Sequence, residues 1–222
     1  MGQLAAGIAH EVNNPLGVVL LYSNLLIDEV EKDSQLYQDI KLISEQAERC
    51  KNIVGGLLNF ARKNDVNYEN TGISGLVESV LRGIIKPENV IFEIINEGVF
   101  DHAEIDKEQI KQVLTNLVRN SAEAIDEKGG TVKILIGGSE RDLVIKIFDN
   151  GAGIPIENMD KLFVPFFTTK PAGKGTGLGL PVSYGIIKMH KGQINVTSNS
   201  SGSKGPTGTT FTITLPRKKP EY

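Results

Sequence analysis

"GKGTGLGLPVSYGIIKMHKG", residues 173–192, sets a glycine-rich run at the mouth of an amphipathic segment that stops at Gly192. Backbone N–H groups at such a helix start attract phosphate. Pro181 is tolerable there only because it falls in the first turn. No GxxxxGK[ST] occurs, so the run is not a Walker A loop, and GTGLGL lacks the spacing of a Rossmann fingerprint. The two common phosphate-binding folds are thereby set aside, and the fold must be read from what surrounds the run.

Around it, helix-like segments at about 73–86, 106–127 and 178–190 alternate with strand-like runs. The runs are "VIFEII" (90–95), "TVKILIG" (131–137), "LVIKIFD" (143–149), "GQINVTS" (192–198) and "TTFTITL" (209–215). Many alternate apolar with polar residues, which predicts an α/β sandwich with one sheet face on helices and the other in solvent. "NSSGSKGPTGT", 199–209, reads as a loose hairpin loop, and there are no internal repeats.

Three further stretches carry chemistry. "QVLTNLVRNSAEAI", 112–125, is an amphipathic helix with Asn116 and Asn120 one turn apart on one face. Asparagine is a poor mid-helix residue, so the pair asks for a ligand or a buried network. Its amide oxygen suits Mg²⁺. "DNGAGIP", 149–155, ends a strand and places Gly151 and Gly153 where the chain turns tightly or approaches a ligand. Asp149 has the chemistry to accept a hydrogen bond from an exocyclic amine, although an ordinary Asp-Asn-Gly turn explains the piece equally well. "FVPFFTTK", 163–170, gathers three of the eight Phe beside two Thr and a Lys, as core followed by a cap also would.

Residues 1–63 differ in character. They read as two long helices joined by the short polar link "EKDSQ", 31–35, hence an antiparallel hairpin. The second helix has a heptad seam at Leu36, Ile40, Ile43, Ala47, Cys50, Val54, Leu57 and Ala61. The first has one at Ala5, Ile8, Val12, Leu16, Val19, Ser23, Leu26 and Val30, with an irregularity around Pro15. Two amphipathic helices alone bury too little surface, so two hairpins should pair into a four-helix bundle as a homodimer. "RKNDVNYENTG", 62–72, has linker composition. The fold class expected is α plus α/β: a dimeric bundle, one helical hairpin per chain, followed by the sandwich.

In "IAHEVNNPLG", 8–17, His10 lies roughly 165° around the helix from the seam, so it faces outward. Asn14, Gly17 and Leu21 continue that row. A solvated surface histidine is the ordinary reading. A metal site is poorly supported, because no second His or Cys lies at ligand spacing. A reactive reading gains from Glu11, a carboxylate placed to take the imidazole proton and leave a nitrogen free to attack an electrophile.

Composition excludes several classes. The net charge of −3 over 222 residues gives no basic field for nucleic acid. No apolar run reaches the ~18 residues of a spanning helix. One cysteine, Cys50, rules out an internal disulfide and suits a reducing, cytoplasmic setting.

Taken in order, these stretches resemble the sensor histidine kinases of two-component systems, of the gyrase, Hsp90, histidine kinase and MutL superfamily. "HEVNNPL" matches the H box, 112–125 the N box, "DNGAGIP" the G1 box, "FVPFFTTK" the F box and "GTGLGL" the G2 box. The H and N boxes look closest to kinases of the nitrogen-regulatory type. The resemblance implies a dimerisation and histidine-phosphotransfer domain over 1–63, a linker at 64–72 and an ATP-binding domain over 73–222. It implies autophosphorylation of His10 with Glu11 as base, then transfer to an aspartate of a response-regulator receiver. Gly17 and Leu21 would form part of the receiver's docking surface, with Asn14 orienting water for phosphatase activity. Asn120 would hold Mg²⁺ against the ATP phosphates, supported by Asn116. Asp149 would read the adenine amine, Gly151 and Gly153 would let the base approach, and Thr209 would assist through water. Lys170 and a lid at 171–176 would cover the phosphates, with Gly175, Gly177, Leu178 and Gly179 forming the phosphate loop.

One departure stands out. The family often carries a phosphate-contacting Lys three residues after the Mg²⁺ asparagine, and here that position is Glu123. Lys170, Lys174 or Arg119 would then carry that charge. The rival readings are an ATP-clamp ATPase of the same superfamily, which needs no outward His-Glu pair, and a nucleotide-binding pseudokinase scaffold. Only nine residues precede His10, so the chain reads as a catalytic fragment whose sensor and any membrane anchor lie elsewhere.

Overall fold

The computed structural model describes residues 2–61, 66–85, 87–98, 100–171 and 175–220, with side chains from 12 onward except those of 49, 52–61 and 204. It divides into two compact units, Met1–Asn64 with Val164–Val182, and Asp65–Phe163 with Ser183–Tyr222.

The first unit holds α1 (Gly2–Glu29) and α2 (Gln35–Ala61), packed on each other as a hairpin. Ser34 starts α2: its hydroxyl accepts the Tyr37 N–H at 3.1 Å, satisfying one of the donors a helix start leaves orphaned. Pro15 lies inside α1 without ending it. Among the described side chains, the heptad seam packs within the chain only in part, at Ser23, Ile40 and Ala47. Leu20, Ser23, Ile40 and Ala47 are buried, while Val12, Val19, Leu26, Leu36 and Ile43 remain exposed. On α1 the packed face lies about 50° from the centre of the seam. A lone hairpin buries only the stripe facing its own partner helix. These helices carry a second apolar stripe beside it.

The second unit is a two-layer α/β sandwich. β2 (Val90–Asn96), β4 (Gly130–Gly138), β5 (Asp142–Asp149), β7 (Gly208–Pro216) and β6 (Gln193–Asn199) form one sheet in the order β2-β4-β5-β7-β6. β2 runs parallel to β4 and every other pair is antiparallel. Period-two alternation puts Val132, Ile134 and Ile136 of β4 on the buried face, with Leu143, Ile145 and Ile147 of β5 and Phe211, Ile213 and Leu215 of β7. The opposite face carries Lys133, paired with Glu93 at 3.1 Å, and the threonines 210, 212 and 214.

Helices cover the apolar face. α3 (Ile73–Gly83) buries Ile73, Leu76, Val77 and Val80. α4 (Lys107–Glu123) buries Ile110, Val113, Leu114, Leu117, Val118, Ser121 and Ala122, a stripe at spacings of three and four. Each fully buried Leu or Ile contributes about 1.5–3 kcal/mol of transfer free energy. Asp106 caps α4 by accepting the Gln109 N–H at 3.0 Å. After the short α5 (Ile156–Met159), α6 (Gly179–Met189) begins in the segment grouped with the hairpin and continues in the second unit, where Ile187 is fully buried.

Two short strands escaped the sequence pattern. β1 (Glu69–Gly72) pairs antiparallel with β3 (His102–Ile105), so part of the expected linker is strand. Four residues each give too little alternation to read. Arg217, just past β7, ties this small sheet to the large one. Its guanidinium donates to the carbonyls of Ser139 (2.6 Å), His102 (2.9 Å) and Gly137 (3.1 Å). His190 does the same for the helices. Nδ1–H donates to the Ile186 carbonyl at 2.9 Å and Nε2 accepts the Asp106 N–H at 3.1 Å, a pairing that needs the neutral ring. Burial favours that form and pushes the pKa of His190 down. Among the described residues no helix is long and apolar enough to cross a membrane.

Candidate nucleotide site

The sheet's buried face ends in a polar row. In register across three strands stand Asp149 of β5, Thr209 of β7 and Ser198 of β6. Each closes an otherwise apolar stripe: Ile145 and Ile147 before Asp149, Ile213 and Phe211 beside Thr209, Ile194 and Val196 before Ser198. Packing alone would continue those stripes with apolar residues.

Asp149 is 1% exposed. Burial raises its pKa, and this is opposed by the Gly151 N–H, the Ser121 hydroxyl and the Thr209 N–H. The Gly151 N–H donates to Oδ1 at 3.1 Å. Ser121 Oγ, also 1% exposed, has no partner in good hydrogen-bond geometry, yet it lies close enough to act on the carboxylate charge. These donors hold an acceptor in a dry place, which is what reading an amine requires.

The loop after Asp149 is fastened at both ends. Ala152 N–H donates to the Ala124 carbonyl beyond α4 at 3.0 Å, and Asn150 Oδ1 accepts the Thr131 N–H at 2.7 Å. Gly151 lies so near Ala124 that a side chain would strike its carbonyl. Gly153, at φ +73°, would drive a Cβ into the Asn199 carbonyl. Both glycines are therefore required by the turn itself. Asn116 and Asn120 are half-buried on α4, and Asn116 Nδ2 donates to Ser183 Oγ at 3.4 Å. Ser183, fully buried on α6, thereby joins the two helices of the site.

In the other unit, the segment 164–182 has its own order. Phe166 N–H donates to the Gly177 carbonyl at 2.9 Å, and both residues have positive φ. Lys170 is half-buried, with its N–H on Thr168 Oγ1 at 3.2 Å. Leu178 is buried, Gly175 and Gly179 are half-buried, and Gly179 opens α6. Residues 172–174 of the expected lid, Lys174 included, lie outside the described residues. So do the side chains of His10 and Glu11, whose backbone is in α1. Asn14, Gly17 and Leu21 are exposed on α1. Arg119 and Glu123 form an exposed pair at 3.9 Å, so Arg119 already meets the acidic residue that departs from the family pattern. Such a pair is worth little and leaves the arginine able to move.

Among the described residues no cluster of three or more His, Cys, Asp or Glu is placed to hold a metal. Mg²⁺ bound with phosphates takes one or two protein oxygens and keeps its waters. A half-buried amide such as Asn120 fits that role. A cavity of about 210 Å³ lined by Glu97, Leu135, Val144 and Lys146 lies on the opposite face of the sheet and takes no part. The sequence reading missed Ser121, Asn150, Ser183 and Ser198. For Ser198 the available signal was a polar residue ending an apolar alternation.

A buried acidic residue at a strand end, a glycine turn bound to the neighbouring helix and an asparagine pair on that helix make up the candidate site. Residues 105–219 match the histidine kinase-, DNA gyrase B-, and HSP90-like ATPase family, and the chain belongs to it. Residues 1–65 match the His Kinase A (phospho-acceptor) domain. Sensor kinase CckA of Brucella abortus is 34% identical over 98% of this chain and 24% of its own length. Signal transduction histidine-protein kinase AtoS of Escherichia coli is 34% identical over 97% of this chain and 35% of its own. The chain thus spans about a quarter to a third of these two relatives. Histidine kinase ThkA, solved in complex with the response regulator protein TrrA, has a TM-score of 0.68 at 26% identity, over 97% of this chain and 61% of that one.

Proposed function

We propose that the chain is the core of a protein histidine kinase, which transfers the γ-phosphoryl group of ATP to His10 and then to an aspartate of a response-regulator receiver. The observation that carries this is Asp149, a buried acceptor ringed by donors, in a chain whose first 65 residues match a phospho-acceptor domain. Glu11 takes the imidazole proton. The freed nitrogen attacks the γ-phosphorus, the bond to the bridging oxygen breaks, and ADP leaves. Asn120 would hold Mg²⁺, which supplies charge neutralisation when bound. Asn116 orients that helix face through Ser183. Lys170 and the loop of Gly175, Gly177, Leu178 and Gly179 would serve the phosphates. Gly151, Gly153 and Thr209 shape the base site.

Incubation with γ-labelled ATP and Mg²⁺ tests the reading. Acid-labile, alkali-stable label on the protein supports it, and nucleotide binding without label would favour the scaffold or clamp readings. Residues 1–63 act as the dimerisation and phosphotransfer domain, and we place the start of the catalytic domain at β1 rather than at 73. The cytoplasm is the compartment in which this chemistry and an exposed free Cys50 are compatible.

The exposed apolar stripe of Val12, Val19, Leu26, Leu36 and Ile43 supports a homodimeric four-helix bundle. The double variant Val19→Asp with Ile43→Asp is expected to run as a monomer in light scattering, with ATP affinity within twofold of the parent. A dimer that persists would remove this stripe from the interface. Gly17 and Leu21, the latter 59% exposed, form part of the receiver's docking surface. Leu21→Glu should keep autophosphorylation and slow transfer to the receiver about tenfold. Transfer at the parent rate would move the docking site elsewhere. Asn14→Ala, in the same assay, should lose dephosphorylation of the phospho-receiver while keeping the kinase step, and retained dephosphorylation would dismiss its role.

A further inference from the structure

We propose that Ser198 is a positioning residue that sets the direction of the Thr209 hydroxyl, and through it the choice of nucleobase. The inference deepens the nucleotide reading above and rests on it. Ser198 stands beside Thr209 in the polar row, on the side away from Asp149. Its Oγ accepts the Ile154 N–H at 2.8 Å, donates to the Gly208 carbonyl at 2.9 Å and lies 2.9 Å from Thr209 Oγ1.

A serine hydroxyl has one proton and two lone pairs. The proton goes to the Gly208 carbonyl, so the bond between the hydroxyls runs from Thr209 to Ser198. The Ile154 N–H and the Thr209 O–H then fill both lone pairs of Ser198. The count closes with nothing left over. Thr209, 4% exposed, has given its hydroxyl proton to Ser198 and its backbone N–H to Asp149. What remains at its side chain is a pair of acceptor sites beside a carboxylate.

The base end of the site is therefore built of acceptors. Adenine brings an exocyclic amine, whereas guanine brings a carbonyl oxygen at the equivalent carbon. A carbonyl held against buried lone pairs loses its water and gains no donor. Were Thr209 free to rotate, it could donate to that carbonyl, and discrimination would relax. Ser198 removes that freedom. Because Ile154 follows Gly153, the same hydroxyl also secures the tight turn, so its two roles must be separated by the test.

Calorimetric titration of ATP and of GTP, each with Mg²⁺, into the whole chain separates them. Ser198→Ala is expected to weaken ATP about tenfold and to reduce the ATP-over-GTP preference at least about fivefold. Ser198→Thr, which restores a hydroxyl, should return the preference to within about twofold. Equal weakening of both nucleotides would mean that Ser198 only fastens the loop, and it overturns the inference, as does an unchanged preference. Should Ser198→Ala not fold, Thr209→Val carries the same test, because it keeps the shape and removes the oriented hydroxyl. Its preference should fall likewise, and a retained preference overturns the inference. A parent chain that binds neither nucleotide defeats the nucleotide reading itself. That outcome is distinct from a parent that prefers ATP beside a variant that still does.

Discussion

Asp149→Asn is expected to lower ATP affinity on the order of 100-fold, about 2.7 kcal/mol, while leaving the nucleotide-free domain as stable as the parent or more so. The carboxylate offers oxygens only. An amide in its place turns one of them into a donor, which would face an amine, and the remaining oxygen is claimed by Gly151 N–H. The stability half follows from the direction of the pKa shift. Burial raises the Asp149 pKa above 3.8 and outweighs the three donors that lower it. A carboxyl whose folded pKa lies above its unfolded value stabilises the fold below the unfolded value and loses that contribution as pH rises through the folded one. At neutral pH the ionised group thus costs folding free energy, and a neutral isostere relieves it. The site keeps a charge the fold would rather lose, which is how a binding residue differs from a packing one. Calorimetric titration and a thermal melt without nucleotide read the two halves separately. Retained ATP affinity would dismiss Asp149 as the base-reading acceptor, and a drop of many degrees in Tm would make it structural.

Most of the second unit was legible because its elements are long enough to show a period. The five strands of the large sheet run over seven to nine residues, all but β2 alternating in burial, and the α4 stripe repeats over three turns. β1 and β3, four residues apiece, offer no period to read, and β1 sits in a stretch whose Asn, Glu and Gly composition says linker. In the hairpin, periodicity gave the helices and, at Ser23, Ile40 and Ala47, part of the packed face, but not all of it. Val19 and Leu20 are adjacent apolar residues, and only the position of α2 decides that Leu20 is buried and Val19 exposed.

The site divides the same way. Asp149, Gly151, Gly153, Asn116 and Asn120 are legible because each is the wrong residue for its local element: polar at a strand end, glycine in a turn, asparagine in a helix. Ser198 is no less out of place, closing the stripe of Ile194 and Val196. It was missed because its meaning depends on strand register. Alternation says which face a residue occupies, while pairing says which residue lies beside it. Only the β6–β7 register puts Ser198 against Thr209, and only the β5–β7 register puts Thr209 against Asp149. A row across three strands is invisible along any one of them.

His10→Gln is expected to reduce label transfer from γ-labelled ATP to below about 1% of the parent, with ATP affinity and helix content unchanged. Phosphoryl transfer asks a protein for position and charge compensation, but something must attack, and in this reading the imidazole nitrogen does. Glutamine is close in size, is a good helix former and lacks a nucleophilic nitrogen, so α1 persists while the acceptor disappears. Affinity should survive because none of the residues proposed to hold ATP or Mg²⁺, on β5, β7, α4 and the loops beside them, is on α1. The pair of readouts matters more than either alone. Loss of label with loss of ATP binding would mean that the substitution damaged the chain. Loss of label with binding intact isolates the chemical step at one side chain, which neither the clamp nor the scaffold reading allows. The bond formed adds a separate check. A phosphoryl group on nitrogen is lost in acid and kept in alkali, whereas one on a serine or threonine oxygen behaves the other way. Acid-stable label on the parent, or label that persists in His10→Gln, would place the acceptor elsewhere and return His10 to an ordinary solvated histidine.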